Sequence, residues 1–419
     1  MAVGSTLKAK GASPGPGAFP RALVAWAVLG MAVDIGLARF TYGVTLPTMR
    51  EELALDYTTG GALSSVHLVA YLLGTLSVPA LARRFGQGRV ARAGHLLFAV
   101  GAAACAAAPG TALLGIGRLL AGFGAAAGIT SVVVMTQNAV EPRLRFAVSA
   151  AVWGGIGLAV IGSGALAPVL LAPGYGWRAG FAISALLALL LAAAFPPRTA
   201  AAQVAAAPAP SADREPFRAA DLLRPQWLFL VAAYTIFGAA YIAYATFTGA
   251  RLSALGTSIG FVQAIWVAFG LGCLAGSAGA ILCFRTPAGA RLALPLAFLA
   301  SAAGAWASTG PTPGAAMAGA VLVGLGMASA PSGITARLRQ RTSAAAYAQV
   351  FSYATAGLGI GQLLGPVATG ALADHYGTIA VPAFAAAAYA AGALMAFADD
   401  RARPVPETLA VAGPPPGPP

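Results

Sequence analysis

Between a polar, proline-bearing start and a similar end, apolar runs recur along the chain with few polar interruptions. Twelve are long enough to cross a bilayer, near residues 22–47, 59–82, 92–108, 111–137, 146–171, 176–196, 226–249, 257–283, 292–308, 314–336, 344–372 and 377–397. Roughly 20 apolar residues is the length an α-helix needs to traverse the hydrocarbon core. The third and ninth runs are short and the eleventh is long, which predicts tilt or a kink. The pattern therefore predicts an all-α membrane protein with twelve transmembrane helices.

One polar stretch is unlike the rest. Residues 197–225, "PRTAAAQVAAAPAPSADREPFRAADLLRP", carry proline and mixed charge. They read as a cytoplasmic linker whose Phe217–Leu223 end has the pattern of a short amphipathic helix. The linker separates a first half, residues 22–196, from a second, residues 226–398. Residues 1–21 read as a disordered cytoplasmic N-terminus with no signal-peptide pattern. Residues 399–419, which end "GPPPGPP", read as a disordered cytoplasmic tail.

The two halves align at an offset of about 202. Gly74 meets Gly276, Tyr42 meets Tyr244, "GFG" at 122–124 meets "GLG" at 324–326, and "GIG" at 155–157 meets "GLG" at 357–359. Tyr175 meets Tyr376 at 201. Six helices is an even number, so both halves start on the same side. The expectation is two parallel six-helix repeats about an axis along the membrane normal.

Composition agrees with the pattern. The chain is 58% hydrophobic and only 9% charged, against about 25% charged in soluble domains. The net charge of +13 orients the chain rather than binding nucleic acid. With the N-terminus inside, 20 of the 25 Lys and Arg fall on the cytoplasmic side, and only Arg50, Arg178 and Arg251 fall outside. That is the positive-inside asymmetry, with both termini cytoplasmic. A nucleic-acid surface calls for a basic face with stacking aromatics, and no segment has one. Cys105, Cys273 and Cys283 lie in spans without a pairing pattern and read as small packing residues. There is no HExxH, no GxSxG, no Cys/His metal spacing and no lysine beyond residue 10. The chain is not expected to be an enzyme or to hold a cofactor.

Several local motifs carry a resemblance. "PALARRFGQGRV" at 79–90 resembles the G-x-L-A-D-R-x-G-R-R loop motif of the major facilitator superfamily (MFS), with Arg84, Gly86 and Arg89 in register. Arg83 stands where the family carries Asp, so the charge network that latches the family's halves must differ here. "RLLAGFGAA" resembles the family's R-x-x-x-G-x-G-x-A and supplies Arg118. "GYGWRAGF" resembles its G-W-R-x-x-F, and "GQLLGPVATGALAD" its eleventh-span signature, with Gln362 and Asp374. The proline-glycine signature of antiporters is not clean, because Pro168 follows Ala167. The first span, "GLARFTYGVTLPTM", looks like a bacterial subgroup. The resemblance implies the MFS fold, residence in a bacterial cytoplasmic membrane, and secondary transport by a monomer. The glycine runs "GFGAAAG" and "GIGQLLG" miss nucleotide-loop spacing and read as close helix packing.

Candidate chemistry sits in the first span. A charge at the centre of a span costs about 2.5–3.5 kcal/mol on insertion scales. Asp34 is the only acid placed deep, and Arg39 and Arg118 are the only deep bases. Five positions along an α-helix is about 140° of rotation, so Asp34 and Arg39 need not pair, and Asp34 could meet Arg118. In one reading these charges neutralise one another. In the other, Arg39 holds an anionic substrate while Asp34 exchanges a proton, helped by His67 and Arg118. Tyr42, Tyr71, Tyr241, Tyr244, Gln263, Trp266, Tyr353 and Gln362 are the polar and aromatic candidates for the rest of the site, and Arg83, Arg84, Gly86 and Arg89 for a gating motif. Such a pocket suits a small organic anion or an amphipathic compound better than a sugar. Efflux of hydrophobic or cationic compounds, or sensing on a transporter scaffold, are the competing functions.

Overall fold

The computed structural model describes residues 20–141, 144–194, 219–283, 286–342 and 344–402. Most of the expected N-terminal, linker and tail segments lie outside the described residues. Among those described there is no strand, and the long elements are helices: α1 (Arg21–Leu53), α2 (Tyr57–Phe85), α3 (Gln87–Ala106), α4 (Thr111–Ala139), α5 (Arg145–Ala165), α6 (Gly176–Ala193), α7 (Pro225–Ala254), α8 (Ile259–Cys283), α9 (Pro287–Ala307), α10 (Pro313–Gln340), α11 (Ala344–Tyr376) and α12 (Ala380–Ala402).

Among the described residues, ten of these helices are long and apolar enough to cross a membrane. Helix α3, whose first turns carry Arg89 and Arg92, is not one of them, and α9 contributes a shorter apolar stretch, Arg291–Ala307. They match the third and ninth runs, the two that the sequence already marks as short.

Local chemistry sets the ends. Asp56 caps α2, accepting from Thr59 N at 2.7 Å. Gly86 ends α2 with φ +87°, a conformation that favours glycine. Proline occupies the first turn of α7 and α9, where its missing N–H costs nothing.

Three boundaries differ from those the hydropathy pattern predicts. The fifth run, expected over 146–171, breaks after Ala165; a separate four-residue helix, Ala167–Leu170, follows with Pro168 in its first turn. Arg83 and Arg84 lie in the last turn of α2 rather than in a loop. Helix α12 continues to Ala402, so Asp399 is helical and buried, with Arg337 Nη1 at 2.9 Å and Arg341 Nη1 at 2.6 Å. Of the expected amphipathic segment, Ala219–Leu223 forms a short 3-10 turn.

Packing follows a repeating scheme. Helix α3 packs on α4 and α6, α2 on α4, and α1 on α5 and α6. Adding six to each label gives further pairings that also occur: α9 on α10 and α12, α8 on α10, and α7 on α11 and α12. Between the first six helices and the last six, α2 meets α11, α5 meets α8, and α1 meets α7. At the last crossing Gly43 lies against the carbonyl of Ala245, where a side chain would collide. The GWR motif has a clear structural task. Glu52, at the end of α1, takes Trp177 Nε1 at 2.6 Å and Arg178 Nη1 at 2.5 Å, while Arg178 Nη2 reaches Ala108 O. One carboxylate thus ties α1, α6 and the end of α3 together.

Candidate functional site

Helix α1 is not uniformly α. Residues Met31–Leu37 form a π-helical segment, with i→i+5 bonding and a wider turn. Such segments are frequent at functional sites. Asp34 sits in it, and Arg39 follows two residues after its end. The 140° count between them, drawn for an α-helix, does not hold across this segment.

Asp34 meets neither arginine. Its Oδ2 lies 2.8 Å from Nδ1 of His95 on α3, and both side chains are fully buried. Trp26 packs edge-on against the imidazole, with ring centroids 4.8 Å apart. Gly128 of α4 makes the space: a Cβ there would stand 2.6 Å from Asp34 Oδ2 and 3.2 Å from His95. His95 is the residue that sequence reasoning missed. The available signal was modest, one of three histidines in the chain, placed in an apolar helix.

Arg39 lies where α1, α2, α7 and α11 come together. Its Nη1 donates to the hydroxyl of Tyr241, and its guanidinium stands 5.0 Å from the Tyr71 ring centroid. Gln362 Nε2 donates to the same Tyr241 hydroxyl at 2.6 Å. Arg39 Nε and Gln362 Oε1 have no hydrogen-bond partner among the described residues. Nor does any described carboxylate pair with Arg39. Arg39, Tyr241 and Gln362 are 5%, 3% and 2% exposed, so the cluster is sealed from bulk water. Arg39 and Tyr241 are 202 residues apart, the offset at which the halves align. Gly43 and Ala245, one turn further along, keep the same separation.

Arg118 and Tyr42 are spent elsewhere. Arg118 donates to Ala38 O at 2.9 Å and to Leu63 O at 3.3 Å, with its guanidinium 4.4 Å from the Tyr42 ring centroid. The Tyr42 hydroxyl donates to Gly60 O at 2.6 Å. Together they pin α4 and α2 to α1. His67 is buried with both ring nitrogens unpartnered among the described residues.

The second-half candidates divide. Tyr244 shares a hydrogen bond with Ser308 and lines a cavity of about 20 Å³, space for about one water. Trp266 packs against Phe40 and Phe269. Gln263 donates to Ala165 O at 3.4 Å, and Tyr353 packs on the core. Among the described residues, Tyr244, Gln263 and Trp266 make no polar contact with the Arg39 cluster. Arg83, Arg84 and Arg89 are exposed around Gly86, and no described carboxylate pairs with them.

A bundle of apolar, membrane-length helices that seals charged groups at its centre defines an integral membrane protein. The profile of the family described as "Uncharacterised MFS-type transporter YbfB" matches residues 31–398, and the chain belongs to this family of transport proteins. It is similar to a "Putative metabolite transport protein" of Haemophilus influenzae, 32% identical over 160 residues, 38% of this chain and 39% of that one. It is also similar to "Niacin transporter NiaP" of Acinetobacter baylyi, 28% identical over 38% of this chain and 35% of that one. A third relative, "Uncharacterized MFS-type transporter Rv1250" of Mycobacterium tuberculosis, is 27% identical over 40% of this chain and 29% of that one. The aligned stretch therefore spans well under half of each of these relatives.

Proposed function

We propose that this protein is a secondary transporter of small organic anions that works by alternating access and couples transport to protons. The observation that carries the reading is Arg39. A guanidinium is charged in every state of the protein. Here it is buried between the two sets of six helices, with a tyrosine hydroxyl and an aromatic face for company instead of a carboxylate. A substrate carboxylate is the partner such a group lacks, and it can take two parallel hydrogen bonds from the guanidinium fork. Tyr71 and Tyr241 beside it, with Phe237 stacked on Tyr241 at 5.1 Å, favour a flat, partly aromatic acid. The relative named as a niacin transporter fits that chemistry.

The architecture proposed is twelve spans in two six-helix repeats of one orientation, with α3 and α9 as the two short spans. The packing scheme that recurs on adding six supports it, as do the two α1–α7 contacts at a separation of 202. In a bacterial cytoplasmic membrane, with both termini inside, the sealed Arg39 cluster would open to one side at a time as the halves rock.

Uptake into proteoliposomes, with labelled nicotinate as first probe and other aromatic carboxylates after it, tests the reading. Arg39→Lys keeps the charge but loses the fork, and should weaken affinity by about tenfold. Arg39→Gln should abolish saturable uptake. A well-folded Arg39→Gln protein that still carries the anion normally, or a transported substrate that proves to be a cation, would overturn it.

A further inference from the structure

We propose that Asp34 and His95 form one proton-binding dyad, and that this pair, rather than Asp34 alone, carries the coupled proton. The inference rests on the transport reading above and assigns a role to His95 that the first-span charges do not suggest.

The geometry has three parts. Asp34 Oδ2 and His95 Nδ1 are 2.8 Å apart in a fully buried setting, an ion-pair distance, although the ring nitrogen is not aligned on the carboxylate as a hydrogen bond in this arrangement. None of the four polar side-chain atoms of the pair has a hydrogen-bond partner among the described residues, so Asp34 Oδ1 and His95 Nε2 are left as atoms through which a proton can arrive or leave. Third, the acid stands on the π-helical segment, while His95 stands on a regular helix. Conversion of that segment to α-helix would change how Asp34 faces His95 and, through the same backbone, how Arg39 faces Tyr241. Tyr71 on α2 is a further titratable group coupled to Asp34, and it also lies beside Arg39. Helix α4 presents Gly128 to the pair, and α5 packs Ile156 and Ala159 on the π segment.

Charge balance then links the two sites. With one proton fewer, the dyad is an ionised carboxylate beside a neutral imidazole, charge −1, and it offsets Arg39 at +1. Binding one proton makes the dyad neutral and leaves Arg39 to be matched by an anion. Arg118 adds one constant positive charge, so the net charge of the buried groups is the same in both states, empty and loaded. A further unmatched charge there is what a low-dielectric interior penalises. Proton and anion therefore enter together, and no oxidant or further reactant is involved.

The test needs no substrate. Purified full-length protein in nanodiscs is titrated while infrared spectra follow the buried carboxyl and nitrogen NMR follows the imidazoles of the chain's three histidines. A coupled pair takes up its protons in macroscopic steps that belong to both groups, so the Asp34 carboxyl and one histidine should change together in each step. Asp34→Asn should shift the histidine titration, and His95→Gln should shift the carboxyl titration. Titration of Asp34 unchanged in His95→Gln, or wild-type steps that each move only one of the two signals, would overturn the dyad. If either variant fails to fold, the wild-type titration alone decides between shared and separate steps. A transported substrate that proves to be a cation, with the two signals still moving together, would reject the anion-transport reading and leave the dyad standing.

Discussion

Arg39 and Arg118 are both buried guanidiniums in the first half, and their neighbours give them opposite tasks. Arg118 spends its donors on two backbone carbonyls and its face on Tyr42. Arg39 has one tyrosine hydroxyl and an idle Nε. Hydrogen bonds to charged groups contribute about 1.5–3 kcal/mol. Arg118→Lys cannot span both carbonyls, and should cost stability of about that size while leaving anion affinity in the folded fraction unchanged. Thermal unfolding and binding measured on the same preparation would show it. The presence of both arginines in spans was legible from residue type and position alone. Their division of labour was not, because it depends on which carbonyls and rings neighbouring helices bring within reach. The same holds for Asp34: its cost was readable, its partner on α3 was not.

At the scale of elements, the α2–α11 contact reaches from the middle of the bundle to one end. Ser65 Oγ donates to Leu363 O at 2.7 Å. At the end, Asp374 of α11 accepts from Tyr57 N at 3.1 Å, from Thr58 N at 2.9 Å and from Thr58 Oγ at 2.5 Å. A carboxylate from one half thus satisfies orphan N–H groups that open a helix of the other, and its charge suits the positive end of the helix dipole. A cap of this kind contributes about 0.5–2 kcal/mol. At the opposite end, the last turn of α2 carries Arg83 where the family motif has an acid. The closure between α2 and α11 therefore has a charged clasp at the Asp374 end. Spin labels at the exposed positions 51 and 376 should report a longer, broader distance distribution in Asp374→Ala than in the parent. An unchanged distribution would mean that packing alone holds this end shut. Asp374 was visible in the sequence as part of a motif, but its capping role needed the two helix ends to be brought together.

For the whole molecule, charge predicts an orientation. If all twelve runs are spans, twenty basic residues fall on one side against three on the other, a bias that the insertion machinery and an anionic leaflet both read. Single cysteines at 89 and 310, in a background freed of the three native ones, should label from opposite faces. Membrane-impermeant reagent should reach 310 in intact cells and reach 89 only after the membrane is opened. Label at 89 from outside would invert the topology.

The apolar periodicity, the polar divider at the centre of the chain and the 202-residue offset were all readable because each is a one-dimensional property: hydrophobic length matches bilayer thickness, and repeats share their spacing. Membership in a transporter family followed from short motifs for the same reason. The site was a different matter. Arg39 meets Tyr241 across 202 residues and Gln362 joins them from a third helix; Asp34 meets His95 across 61, by their numbers in the chain. Such pairings arise from the angles at which helices cross and from glycines such as Gly128 that let them approach. Buried charge must find whatever partner the packing supplies, and side-chain packing is a three-dimensional outcome. The π-helical segment belongs to the same class. It shifts the register of α1 at the point where Asp34 and Arg39 part company, so tertiary structure alone determined which charge meets His95 and which is left without a carboxylate among the described residues.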